Sequence, residues 1–163
     1  MHRLTKTNLT VALAFISVIL IGATQQQQIK NPKKGLKDYY KKYFPIGVAV
    51  RPSDLRNGEE KNLILKEFNS ITAENAMKMA PLQPAENRFF WRDADSIVAF
   101  GVRNKLNVRG HTLCWHAQAP NWMFTDSSGN QASKELLLKR LKSHIQTVVN
   151  RYKGKVYAWD VVN

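Results

Sequence analysis

Four short stretches of this chain are apolar or rich in β-branched residues almost without interruption. They are 46–50 (IGVAV), 69–73 (NSITA), 107–115 (NVRGHTLCW) and 156–162 (VYAWDVV). Runs of this length and composition are typical of strands covered on both faces of a parallel sheet. Between them the apolar spacing changes to a helical period. Residues 55–68 place Leu63, Ile64 and Phe68 on one expected inner side, and 93–106 carries Ile97, Phe100 and Val102 behind an expected Asp93 cap. The clearest helix follows Ser133, with Leu137, Leu141, Ile145, Val148 and Tyr152 in a 3.6-residue period and Gly154 as the stop. A shorter helix is expected over 35–44. Strand and helix alternate four times, the grammar of an α/β protein with right-handed crossovers.

Two architectures share that grammar. A doubly wound sheet normally carries a glycine-rich phosphate turn after its first strand, and positions 50–54 (VRPSD) hold no glycine. In a (β/α)8 TIM barrel, functional side chains gather where strands end, and polar groups do sit there: Glu74 and Asn75, His111 to Gln118, and Asn163. The expected fold is therefore the first half, about four strands, of a (β/α)8 barrel over 36–163, broken off after strand 4. A complete barrel needs about 250 residues, and an open one leaves two strand edges unpaired.

The remaining sequence changes this picture little. Residues 1–23 join Arg3 and Lys6 to the apolar stretch 9–23, too short for a membrane span, with small residues at its end. A signal peptide over 1–23, with an uncleaved anchor as the alternative, and a flexible lead over 24–35, including a run of four glutamines, are expected, which predicts a secreted or periplasmic protein. The net charge of +13 is concentrated early: up to Phe44 there are eight bases against one acid, and beyond it seventeen against eleven. A solvated basic surface, and not a nucleic-acid site, is the expectation. The single cysteine, Cys114, excludes an internal disulfide framework and reads as a small buried side chain.

Three motifs, in order, carry a resemblance: 72–79 (TAENAMKM), 110–122 (GHTLCWHAQAPNW) and 159–163 (WDVVN). Together they resemble the endo-1,4-β-xylanases of glycoside hydrolase family 10, over the first half of that family's catalytic barrel. The resemblance implies xylan and xylo-oligosaccharides as substrates and no cofactor. It implies that Glu74, Asn75 and Lys78 bind the xylose on the non-reducing side of the cut. His111 is assigned to hydroxyls of the sugar being cleaved, with Trp115 and Gln118 in the same pocket. Asn163 would bond the 2-hydroxyl of the reacting sugar. The family pattern puts the acid/base glutamate directly after the position of Asn163 and the nucleophile on a later strand, both outside the 163 residues.

Taken alone, these residues admit plainer readings. Glu74 and Lys78 have the spacing of a surface ion pair, and most tryptophans are core residues. Trp91 and Trp159 are expected in packing, with Trp122 open between core and cleft. His111 and His116 lie five apart on an extended segment and point to opposite faces, so no metal site is expected. Three functions stay open at this point: the amino-terminal half of a secreted xylan hydrolase, a non-catalytic xylan-binding module or inert remnant, and a basic binder of acidic polymer or membrane.

Overall fold

The computed structural model describes residues 33–56 and 58–163. The signal peptide expected over 1–23, and the lead as far as residue 32, lie outside the described residues. Within Lys34–Asn163, which form one unit, the elements are α1 (Leu36–Tyr40), β1 (Gly47–Val50), α2 (Glu59–Glu67), β2 (Ser70–Ala73), α3 (Met79–Leu82), α4 (Arg92–Arg103), β3 (Asn107–Cys114), α5 (Lys134–Arg151) and β4 (Ala158–Val162). Single 3₁₀ turns occupy Pro52–Leu55, His116–Gln118 and Asn121–Met123.

The four strands form one parallel sheet in the order β1-β2-β3-β4. Each crossover moves to the next neighbour in the same direction, without the reversal that defines a doubly wound sheet. The fold is α/β, with the first strands of a (β/α)8 barrel. Parallel order puts the ends of β2, β3 and β4 on one rim, and Glu74, Trp115 and Asn163 stand just past those ends.

The core fills the space between the sheet and its helices. Val50, Ile71, Ala73 and Val108 from the strands meet Ile64, Ile97, Phe100 and Val148 from the helices and Tyr152 just past the end of α5, all buried. Two glycines make this packing possible. A Cβ on Gly110 would stand 2.2 Å from the Trp159 ring, so only glycine lets that indole lie flat on β3. Gly154 has φ 75°, the left-handed turn that ends α5 and sends the chain back into β4.

Several local expectations shift. The long helix expected over 55–68 is a 3₁₀ turn followed by α2, because Pro52 starts one element and Gly58 caps the next. Leu63 is 56% exposed; the inward face of α2 is Ile64 and Leu65, one position round the helix. The cap of α4 is Trp91, leaving Asp93 in the first turn, where its carboxylate suits the positive helix end. Cys114 is half-buried at the end of β3. Ser133 does cap α5, accepting from the Leu136 N–H at 3.2 Å.

Candidate active site at the strand ends

The β2 exit is a turn, not a helix. Lys78 N–H donates to Asn75 O at 2.9 Å, which folds the chain back before α3 begins. In that turn the side chains of Lys78 and Glu74 face different partners and do not form the ion pair that their spacing suggests. Lys78 Nζ donates to Asn75 Oδ1 at 3.0 Å and lies 4.8 Å from the centroid of the Trp115 ring. Glu74 instead faces Arg51, at 3.7 Å between two exposed side chains. Gln118 Nε2 reaches the same Asn75 oxygen at 3.4 Å. The structure thus brings Asn75, Lys78, Trp115 and Gln118 into one cluster from two loops.

His111 sits within β3, three residues before its end. It lines, with Thr72 and Glu74, a cavity of about 470 Å³ against β1 and β2. Its Nδ1 lies 2.9 Å from Asp160 Oδ2, and the strand register pairs the two residues directly. Asp160 also accepts from Arg109 Nη2, while its main-chain carbonyl accepts from Thr112 Oγ1 at 2.9 Å. Burial works against ionisation of Asp160, and the hydrogen bonds from Arg109 and His111 outweigh it, so its carboxyl is held below the usual range. An ionised carboxylate only accepts, so Nδ1 of His111 carries a proton and donates it there. The β3–β4 register shifts between His111 and Cys114, and the His111–Thr112 peptide is cis.

Asn163 is exposed past the end of β4, with its backbone N–H donating to Cys114 O at 3.0 Å. It therefore lies beside the residue that precedes Trp115. His116 is exposed and its ring stands edge-on to Trp115. Among the described residues no group of three or more His, Cys, Asp or Glu could hold a metal ion. Trp122, left open above, packs behind the rim: its Nε1 donates to Gln83 O at 3.0 Å and the Arg140 guanidinium lies over its ring. Trp91 stacks on Phe89 at 4.5 Å, and Trp159 lies against Tyr152.

Sequence reasoning missed Asp160, Arg109, Gln83, Arg140 and His144. A signal existed for the first two. Opposite charges in the middle of the strand-like runs NVRGHT and AWDVV can pair across adjacent strands, and the parallel register brings them together.

The profile of glycosyl hydrolase family 10 matches residues 35–163. An endo-1,4-beta-xylanase/feruloyl esterase of Xylanibacter ruminicola is 46% identical over 157 residues, covering 95% of this chain and 22% of that protein. Endo-1,4-beta-xylanase A of Caldicellulosiruptor saccharolyticus is 49% identical over 124 residues, 76% of this chain and 36% of that protein. The chain thus spans about a third or less of these two relatives. Among solved structures, xylanase XynB from Paenibacillus barcinonensis, complexed with a conduramine derivative, superposes with a TM-score of 0.76 at 47% identity. It covers 80% of this chain and 39% of its own. An endo-1,4-beta-xylanase from Caldicellulosiruptor owensensis gives 0.77 at 46% identity, with the same coverage. With a family match over most of its length and relatives this similar, the chain belongs to glycosyl hydrolase family 10.

Proposed function

We propose that these residues form the non-reducing-side sugar-binding wall of a secreted endo-1,4-β-xylanase, which hydrolyses internal β-1,4-xylosidic bonds with retention. The observation that carries this reading is the cluster of Lys78, Asn75, Gln118 and Trp115. A pyranose presents hydroxyls that need donors and acceptors at its edge and a weakly polar face that stacks on aromatic rings. Asn75 Oδ1 is already engaged by Lys78 and Gln118, which makes the Asn75 amide nitrogen and the Gln118 amide oxygen available to a ligand. Lys78 adds ammonium donors, Glu74 and His111 add groups beside the cavity, and Asn163 adds an amide at the β4 end. The leader-like residues 1–23 support export. No cofactor enters the chemistry.

Retaining hydrolysis requires two carboxyl groups roughly 5 to 5.5 Å apart, one as acid/base and one as nucleophile. The carboxylates among the described site residues are committed elsewhere: Glu74 faces Arg51, and Asp160 is held by Arg109 and His111. In this reading the catalytic pair is supplied by residues of the whole protein outside this chain, as the family resemblance implies. The test has two arms. The whole protein should release xylo-oligosaccharides from β-1,4-xylan with retained anomeric configuration, and the 163-residue chain alone should give no turnover. Failure of the whole protein to act on or bind xylan overturns the reading. Hydrolysis by the isolated chain overturns the assignment of the carboxylates.

A further inference from the structure

At the rim the two loops are linked by the exposed 3.4 Å Gln118–Asn75 bond and by Lys78 over the Trp115 ring, both of these half-buried. Exposed polar contacts such as the first fix a geometry weakly. Behind them lies a buried polar assembly that the sugar-binding reading does not use. Gln83, 4% exposed, directly follows α3. Its side-chain Oε1 lies 2.7 Å from His144 Nδ1, and its main-chain oxygen accepts from Trp122 Nε1 at 3.0 Å. Its own N–H donates to Met79 O at 2.7 Å. One residue therefore ties together the 74–82 segment that carries Asn75 and Lys78, the 115–125 connection that carries Trp115 and Gln118, and helix α5. One turn earlier on α5, Arg140 donates to both Glu86 carboxylate oxygens, at 2.9 and 2.6 Å, and to Thr125 O at 2.8 Å.

We propose that the Gln83–His144–Trp122 assembly is a positioning device that sets the spacing between the Asn75/Lys78 segment and the Trp115/Gln118 segment, and so the fit of a pyranose between them. The ligand in this statement rests on the proposed sugar-binding function; the spacing does not. His144 is completely buried in a neutral form, since burial lowers its pKa to about 4. With the Gln83 oxygen as acceptor, Nδ1 holds the ring's one proton and Nε2 is left without a partner. The imidazole thus contributes a single directed hydrogen bond, aimed at Gln83. Losing it frees the Gln83 side chain, and the backbone carbonyl that holds Trp122 shifts with it. A misplacement of about 1 Å in a binding loop is enough to cost up to a hundredfold in rate.

The test compares His144→Asn, whose amide nitrogen takes the place of Nδ1, with His144→Leu, which has no donor. Both are made in the whole protein with 13C-labelled lysine. Lys78 side-chain signals, shifted upfield by the Trp115 ring current, report the spacing without any ligand. The shift is expected to persist in His144→Asn and to collapse in His144→Leu. In parallel, KM for a xylo-oligosaccharide is expected to rise about tenfold in His144→Leu with kcat changed less than about threefold, and to stay within about threefold in His144→Asn. Where His144→Leu does not fold, Trp122→Phe, which keeps a ring and removes the N–H donated to Gln83, carries the same expectations. An unchanged Lys78 shift in a folded donor-less variant overturns the proposal, as does an equal loss in His144→Asn. If the Lys78 shifts behave as expected while the unmodified protein fails to bind xylo-oligosaccharide, the positioning device stands and the sugar-binding reading falls.

Discussion

His111 and Asp160 face each other across the β3–β4 ladder, with imidazole Nδ1 2.9 Å from carboxylate Oδ2. Because the carboxylate takes the Nδ1 proton's hydrogen bond, the other ring nitrogen of a neutral His111 is left as an acceptor. In the proposed function, the side chain would then offer a sugar hydroxyl a fixed acceptor in place of a mixture of tautomers. Arg109 completes the arrangement by holding the carboxylate ionised.

Replacement of Asp160 by asparagine removes that control. The amide accepts less strongly from Arg109 and lets either imidazole nitrogen carry the proton. Hydrogen bonds to charged groups contribute about 1.5–3 kcal/mol, and the partial exposure of this pair puts the expected loss at the lower end. Asp160→Asn should lower kcat/KM of the whole protein on xylo-oligosaccharide about tenfold. The 15N shifts of His111 should change from one well-defined tautomer to an average, and an unchanged His111 spectrum would refute the mechanism.

At the rim, Lys78 stands 3.0 Å from Asn75 Oδ1 and over the Trp115 ring. Lys78→Met keeps the apolar stem and deletes the charged donor, so oligosaccharide affinity should fall about tenfold, equivalent to 1.4 kcal/mol. Trp115→Ala removes the surface proposed to stack on the sugar and should cost more than Lys78→Met. Calorimetric titration of each variant against the unmodified protein measures both. Glu74→Gln should change affinity less than either, because Glu74 faces Arg51 and stands outside the hydrogen bonds of the Asn75 cluster.

The strands, the parallel sheet and the α5 cap were legible because burial and helical period leave direct marks on residue order. The positions of Glu74, Asn75, Trp115, Gln118 and Asn163 near strand ends were legible too, since parallel strands end together, whereas His111 stands three residues inside β3 and Lys78 was named through the resemblance. What stayed hidden was pairing across space. Nothing near Gln83 in the chain announces His144, sixty-one residues away, and Leu63 differs from Leu65 only by the rotation of a helix whose neighbours are distant. Asp160 was visible as a charge in an apolar run, but its partners lie on another strand.

His144 makes stability depend on pH in a defined window. Its pKa is about 4 when folded, against 6.5 unperturbed, so between those values the unfolded chain binds more protons. The stabilisation is fully present above pH 6.5 and is lost as pH falls toward 4, by about 3 kcal/mol in all. The groups around it are Gln83, the Phe89 ring and, one turn away, the paired Arg140 and Glu86. Asp160, with its depressed pKa, loses its contribution only at lower pH. Melting temperatures of the unmodified protein should therefore decline from pH 6.5 to 4, and His144→Asn should flatten that decline.

Arg140 is 9% exposed and serves Glu86, Met123 O and Thr125 O together. Arg140→Met leaves two carbonyls without a donor and one carboxylate without its cation, and should lower the urea midpoint clearly. Glu86→Gln retains hydrogen-bonding capacity at a more exposed position and should cost less than half as much. Urea titrations of both variants give the comparison, and equal losses would show that the carbonyl contacts contribute nothing.

Among the described residues the outer edge of β4 is open, as is that of β1. Val161 and Val162 lie on a strand with a single neighbour, β3, and Val162 is 75% exposed. An apolar edge strand with unpaired N–H and C=O groups is a template for pairing with another chain. The 163-residue chain produced alone should therefore elute as aggregates. Val161→Lys should reduce the aggregated fraction, since a charge on an edge strand opposes pairing between copies. Size-exclusion chromatography with light scattering reads both outcomes. A monomeric elution of the unmodified chain at micromolar concentration would mean that this edge is not the determinant of association.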